Sequence, residues 1–255
     1  MLVIVTSHYN EDLNWLKKSK WPVVVVDKEG ADPTDLPVQY RIPNKGFETS
    51  SYLKYIVENY DNLPDHIAFL HGHETAWHQF HDRGLLEVIE GANIEKHGFI
   101  PLNNFMRWYP FANEGRPDLM EIRTFWRRFR FPEHFTPPPY FMFRSPIGAQ
   151  FIVAKDRIRK HSKARWQEWL DIVVEDGSKN MGIFFEHIWH VLFGEFWRCE
   201  LHDDWFKFEP APLTWHHEYD ETSPMSEDLY AKGLFQMMTL EQVNENLKCY
   251  GWRWN

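Results

Sequence analysis

The chain has 255 residues, 43% of them hydrophobic, and a net charge of −9 with its histidines neutral. That length and apolar share suffice for a buried core and exclude a disordered chain. The acidic balance excludes a protein that grips nucleic acid mainly through its phosphates, and no apolar run approaches the roughly 20 residues of a membrane helix.

The first residues, Met1-Leu-Val-Ile-Val-Thr6, lack a basic start and a small-residue cleavage site, so they read as a strand and not as a signal peptide. A polar turn follows, Ser7-His-Tyr-Asn-Glu-Asp12, and then a short helix over 13–20 that Trp21-Pro22 stops. Val23-Val-Val-Val26 is apolar throughout, as a strand buried on both faces must be. After a loop at 32–37 come a third strand at 38–42, the turn Asn44-Lys-Gly46 and a helix over 49–60. The apolar positions Tyr52, Leu53, Ile56 and Val57 of that helix keep helical spacing. His66-Ile-Ala-Phe-Leu70 is the next strand. Strand, helix, strand in this order predicts a mostly parallel sheet, with ligands beyond the carboxyl ends of its strands. That rule lines Ser7–Asp12, Asp27–Gly30, Asn44–Gly46 and His71–Glu74 along one edge.

Residues 103–146 differ in character. They hold several prolines, many aromatics and the basic run Arg123-Thr-Phe-Trp-Arg-Arg-Phe-Arg130, and they read as a flap or insertion. Gly148-Ala-Gln-Phe-Ile-Val153 reads as a strand, 155–170 and 182–193 as helices, and 239–248 as a terminal helix. The expected organisation is one α/β domain. Residues 1–102 form a first half, 103–146 a flap, and 147–255 a second half with a tail. Two cysteines, Cys199 and Cys249, suit a reducing, cytoplasmic setting without specifying a pair. Thirteen tryptophans could stack on flat ligands, but most must fill core and rim.

Two constellations could carry chemistry. The first is His71, His73, Glu74, His78 and His81, since histidine is the commonest metal ligand and titrates near neutrality. His73 and His78 are five apart, about 140° around a helix, which excludes the two-histidine helical motif of the zincins. His71 and His73 alternate and share one side of an extended segment. They become the pair of interest, with His78 and His81 as structural residues. The second is Glu186-His187-Ile-Trp-His190, where Glu186 and His190 stand one helical turn apart. Asn10, Glu11, Asp12, Asp27, Asn44 and Lys45 follow the early strands, where such residues cap helices, shape turns or meet a base, ribose or phosphate. There is no glycine-rich dinucleotide or P-loop motif and no nucleophile elbow.

Several of these segments, in order, resemble a family of uncharacterised proteins best represented in fungi. They are Val5-Thr-Ser-His-Tyr-Asn-Glu-Asp-Leu-Asn-Trp-Leu16, Asn44-Lys-Gly-Phe-Glu48, Tyr52-Leu-Lys-Tyr-Ile56, Asn59-Tyr-Asp-Asn-Leu-Pro64, Phe69-Leu-His-Gly-His73, Gly148-Ala-Gln-Phe-Ile-Val153 and Glu186-His-Ile-Trp-His190. That family is similar in layout to GT-A-type glycosyltransferases. These have a nucleotide-binding βαβ half, a strand end that usually carries D-x-D, a glycine-containing strand, and a helix whose start carries an acidic catalytic residue in inverting members. The resemblance implies a transferase using a nucleotide-diphosphate sugar, with Glu186 as base in an inverting displacement. It places His71-Gly-His73 where D-x-D is expected, and the chain contains no D-x-D.

Donor contacts would then come from Ser7, Asn10, Asp12, Asp27, Asn44, Lys45, His71, His73, Gly148 and Gln150. Acceptor contacts would come from Trp108, Trp126 and His190. Either His71 and His73 hold Mn²⁺ or Mg²⁺, or the enzyme is metal-independent and Arg127, Arg128, Arg130, Lys45 or a histidine meets the diphosphate. Two other readings stand beside this one. One is a metal-dependent hydrolase using histidines 71, 73 and 78 with 187 and 190, and with His216-His217. The other is a carbohydrate-binding protein on a decayed transferase fold.

Overall fold

The computed structural model describes residues 1–80, 82–110, 122–131, 142–146, 148–195, 199, 202–209 and 214–216, with the backbone alone at 106–110, 142–143, 179 and 214–216. His81, His217, Cys249, Pro137-Pro-Pro139 and the helix expected at 239–248 lie outside the described residues. The chain divides into two compact units, one of residues 1–109 and 143–216, the other of 110–142 and 217–255.

The larger unit contains a six-stranded sheet. Its strands are β1 (Leu2–His8), β2 (Val23–Lys28), β3 (Val38–Ile42), β4 (His66–Leu70), β5 (Phe99–Pro101) and β8 (Phe151–Ala154), in the order β3-β2-β1-β4-β8-β5. Strands β1 to β4 are mutually parallel, with Thr6 opposite Val25 on one side and Leu70 on the other. β8 runs antiparallel to both of its neighbours. The expected α/β fold with a mostly parallel sheet is therefore present. A smaller sheet joins β6 (Phe105–Pro110), β7 (Met142–Pro146) and β9 (Thr214–His216) in the order β7-β6-β9.

Burial explains the sheet. All seven residues of β1 are buried, as a central parallel strand covered on both faces requires. Helix α1 (Phe47–Asn59) packs on β1 and against α5 (Lys163–Asp176) and α6 (Lys179–Leu192). Phe69 of β4 is the centre of an aromatic core, with Tyr52 at 4.8 Å, Phe151 at 5.5 Å and Tyr55 at 6.0 Å between ring centroids. Trp189 stacks on Phe193 at 5.6 Å. No helix among the described residues is long and apolar enough to cross a membrane.

Several boundaries differ from expectation. The helix at 13–20 is a 3-10 turn, Asn14–Lys18. The helix expected over 155–170 is two, α4 (Lys155–Ile158) and α5, because Ser162 caps a new helix by accepting the Arg165 N–H. α5 then ends at Gly177, whose φ of 64° a side chain would strain. Gly148 precedes β8 in a turn with φ 88° and is not strand. α6 starts at Lys179, so Glu186 sits in its third turn and gains nothing from the helix N-terminus. Helix α2 (Leu85–Gly91) and strand β5 carried no periodicity to predict them. In the smaller unit, α3 (Ile122–Arg128) buries Trp126, whose ring packs on Phe131 at 4.5 Å.

Candidate functional site

The carboxyl ends of β1, β2 and β4 deliver residues to one edge of the sheet, as the parallel topology dictates. At the end of β4 the chain leaves regular structure and runs irregularly through residues 71–80. Three tethers fix the turn. Thr6 Oγ1 donates to the His71 carbonyl at 3.2 Å, the Trp15 indole donates to the Gly72 carbonyl at 2.9 Å, and Gln150 Oε1 accepts the His71 N–H at 3.2 Å. Gly72 is required because a Cβ there would stand 2.9 Å from the Glu11 side chain.

Three histidines converge as a result. One ligand atom from each of His71, His73 and His78 lies within 4.8 Å of the others. His71 Nδ1 and His73 Nε2 are 3.3 Å apart. Two nitrogens on a tetrahedral zinc, each bonded at 2.0–2.1 Å, would stand roughly 3.3–3.4 Å apart. His78 Nδ1 meets Asn103 Oδ1 at 3.0 Å, and Gln150 Nε2 donates to the same oxygen at 2.9 Å. Asn103 Oδ1 thus accepts a hydrogen bond from His78 Nδ1–H, which leaves Nε2 with a lone pair. His71 Nε2 faces Glu48 Oε2 at 3.9 Å, while its Nδ1 faces His73. Burial, and then the charges of His73 and His78, hold His71 well below the usual histidine range, so it is neutral and able to ligate at pH 7. Burial lowers His73 and His78 in the same direction. The donor geometry fits a metal ion. Three imidazoles suit zinc and its neighbours better than Mg²⁺.

Carboxylates flank the cluster. Glu186 Oε1 accepts the Gly148 N–H at 3.0 Å, so the 148–150 turn and α6 meet at this point. Burial, and then the Glu186 charge, push the Glu48 carboxyl up to about 8. Burial, and then the charges of Glu48, Glu186 and Glu11, hold the Tyr52 phenol well above its ordinary value. His71 Nε2, which faces Glu48, and Tyr52 Oη, which feels its charge, are buried with no hydrogen-bond partner among the described residues. An unmet buried polar atom costs about 1–3 kcal/mol, so the pair mark a place where a ligand, ion or ordered water completes the bonding. Lys28 stands beside them, lowered to about 8 by burial, and donates to Ser50 Oγ and to the Lys45 carbonyl.

The structure therefore brings His71, His73, Gly148, Gln150 and Glu186 together, and adds His78, Glu48, Glu11, Asn103 and Lys28. His78, read from the sequence as structural, stands beside the pair in space. The five-residue spacing test presumes a helix, and this segment is a loop. Glu48 went unnoticed because a glutamate in the first turn of a helix reads as a partner of the helix dipole.

Other expected residues have local employment. Asp27 is buried against His8, with Oδ1 2.8 Å from Nδ1, and Ser7 Oγ bonds Ser51 Oγ at 2.9 Å. Asp12 Oδ1 accepts the Asn14 N–H and shapes a turn. Asn10 is exposed and its N–H donates to Glu11 Oε2, while Asn44 is exposed. The Lys45 side chain lies along Gly177, where a Cβ would meet it at 2.9 Å. His190 and Trp126 are each 1% exposed, so neither presents a face on which a sugar could stack. The Trp108 side chain lies outside the described residues. His187 Nδ1 bonds Ser145 Oγ at 3.0 Å inside the core, and 187 and 190 form no metal-apt group among the described residues. Arg127 and Arg128 occupy the last turn of α3, and Arg130 follows with φ 51°.

No curated protein matches the chain. Residues 3–204 match the family described as a protein of unknown function, DUF3431, and the chain belongs to that family.

Proposed function

We propose that the chain is a glycosyltransferase that moves a sugar from a nucleotide-diphosphate donor to a hydroxyl acceptor. One observation carries the reading. The histidine turn after β4, the Gly148–Gln150 turn before β8 and Glu186 of α6 meet at the carboxyl edge of a parallel β1–β2–β4 sheet. Those are the three places to which the resemblance to GT-A enzymes assigns metal, donor sugar and base.

His71, His73 and His78 would hold the metal, which when bound supplies positive charge to a diphosphate leaving group. Glu186 takes the proton of the acceptor hydroxyl. The acceptor oxygen forms its bond to the anomeric carbon as the bond from that carbon to the diphosphate oxygen breaks, and the nucleoside diphosphate departs. The Gly148 N–H keeps one Glu186 oxygen in place. General-base assistance of this kind is worth about 10²–10⁴-fold. The test is E186Q assayed with a panel of nucleotide sugars. Donor binding should persist and transfer fall by at least two orders of magnitude. Transfer at the parental rate would remove Glu186 from the mechanism.

A second reading has its own support. Three neutral imidazoles with no carboxylate among them form a donor set of the kind that holds catalytic zinc with one open position. A metal-dependent hydrolase would use that position for water. Purified protein that keeps a zinc through treatment with a chelator, loses that zinc in H71A/H73A/H78A, and leaves nucleotide sugars intact favours the hydrolase over the transferase.

A further inference from the structure

A second group of potential ligands lies outside the candidate site. We propose that His97, His202 and Asp204 form a separate metal site, a structural clip for a zinc-class divalent cation that fastens residues 202–207 to the turn after α2. One ligand atom from each residue lies within 4.8 Å of the others. The His97 and His202 rings are 4.9 Å apart, and His97 Nε2 is 2.8 Å from Asp204 Oδ1. Donors on a metal bonded at 2.0–2.2 Å stand roughly 3.3–3.5 Å apart, so this pair need open by only about 0.5 Å. Two imidazoles and one carboxylate, with a fourth position for water, is a common zinc donor set.

Among the described residues, the cation paired with Asp204 sits on a movable side chain. Lys96 Nζ lies 3.0 Å from Asp204 Oδ2, the other carboxylate oxygen, on a side chain that is 61% exposed.

The backbone already aligns the two segments. The Asn93 N–H donates to the Trp205 carbonyl at 2.8 Å, the Lys207 N–H to the Gly91 carbonyl at 2.7 Å, and Asn93 Nδ2 to the Asp204 carbonyl at 2.6 Å. Ala92 and Phe206 form an isolated antiparallel bridge. What the clip holds has a consequence for the candidate site. Phe206 and Phe208 pack on Phe80 at 5.4 and 6.2 Å, and Phe80 lies two residues beyond His78. Gly91 makes room for Phe208, since a Cβ there would stand 2.4 Å from its ring. A cation bound by His97, His202 and Asp204 therefore braces the loop that presents His78.

The test is zinc binding to the full-length chain, by dialysis against Zn²⁺, gel filtration and metal analysis, for the parent, H202A, D204N and H71A/H73A/H78A. These clip residues are partly or fully exposed, and H202A and D204N should fold. Each of the two should hold one equivalent of zinc less than the parent. The triple variant should still hold one, with a zinc-dependent rise in Tm on the order of 5 °C. The comparison of parent with H202A stands even if the triple variant fails to fold, or if the first cluster binds no metal. Equal zinc content in parent, H202A and D204N overturns the clip. So does zinc that leaves the parent on gel filtration as readily as it leaves D204N.

Discussion

Replacing Gly148 by alanine tests how the histidine cluster is supported. Gly148 adopts φ 88°, where an alanine carries strain of about 1–2 kcal/mol. Its Cβ would also stand 2.6 Å from His78 Nδ1 and 2.6 Å from Asn103 Nδ2, distances at which something must shift. The atoms that must shift are the ones that orient the His78 ring. Overpacking of this kind costs about 1–3 kcal/mol, so the two effects together should destabilise the metal-free fold by about 2–5 kcal/mol. Metal affinity should fall by about 10–100-fold, the usual effect of disturbing a ligand's hydrogen-bond partner. Urea unfolding reads the first quantity, and a competition titration with a chromophoric zinc chelator reads the second. G84A is the control, because Gly84 has ordinary backbone angles and nothing within 4 Å of a new Cβ. If G148A binds zinc as tightly as the parent and G84A, the turn does not hold His78 as argued.

Two further outcomes follow from the same interior. Glu48 is raised from its ordinary value of 4.5 to about 8, so between those values the folded state binds more protons than the unfolded state. Stability of the metal-free protein should therefore fall as pH rises from 4.5 to 8, by up to about 1.4 kcal/mol per unit, and E48Q should flatten that slope. Parallel pH profiles for the two proteins would contradict the burial argument. Phe69 is fully buried against the rings of Tyr52, Tyr55 and Phe151, and F69A should cost about 3–5 kcal/mol in urea unfolding with the m-value unchanged. A loss below 1 kcal/mol would mean that the core closes over the gap.

The sheet was legible because its parallel strands are short continuous apolar runs. Val23-Val-Val-Val26 and Ile67-Ala-Phe-Leu70 can hardly be placed except between two covered faces. Helix α2 and strand β5 were not legible, since seven and three residues are too few to display a period. The Ser162 cap was missed inside a stretch whose composition is helical on both sides. At the site, position along the chain announced His71, His73 and Glu186, since strand ends and a polar helix face are visible in one dimension. That His78 stands beside them was not legible, because spacing rules apply to regular elements, and residues 71–80 form none. Glu48, Asn103 and Lys28 enter through tertiary packing, which periodicity does not encode.

The central claim is that this edge binds a nucleotide sugar through a histidine-held metal. The most direct measurement is a thermal-shift screen of nucleotide-diphosphate sugars with and without Mn²⁺ or Zn²⁺, run on the parent and on H71A/H73A. One donor at 100 times its Kd should add about 2.7 kcal/mol of stability in the parent, dependent on metal and absent from the variant. A parent chain that no nucleotide sugar stabilises, with either metal or without one, would contradict the account.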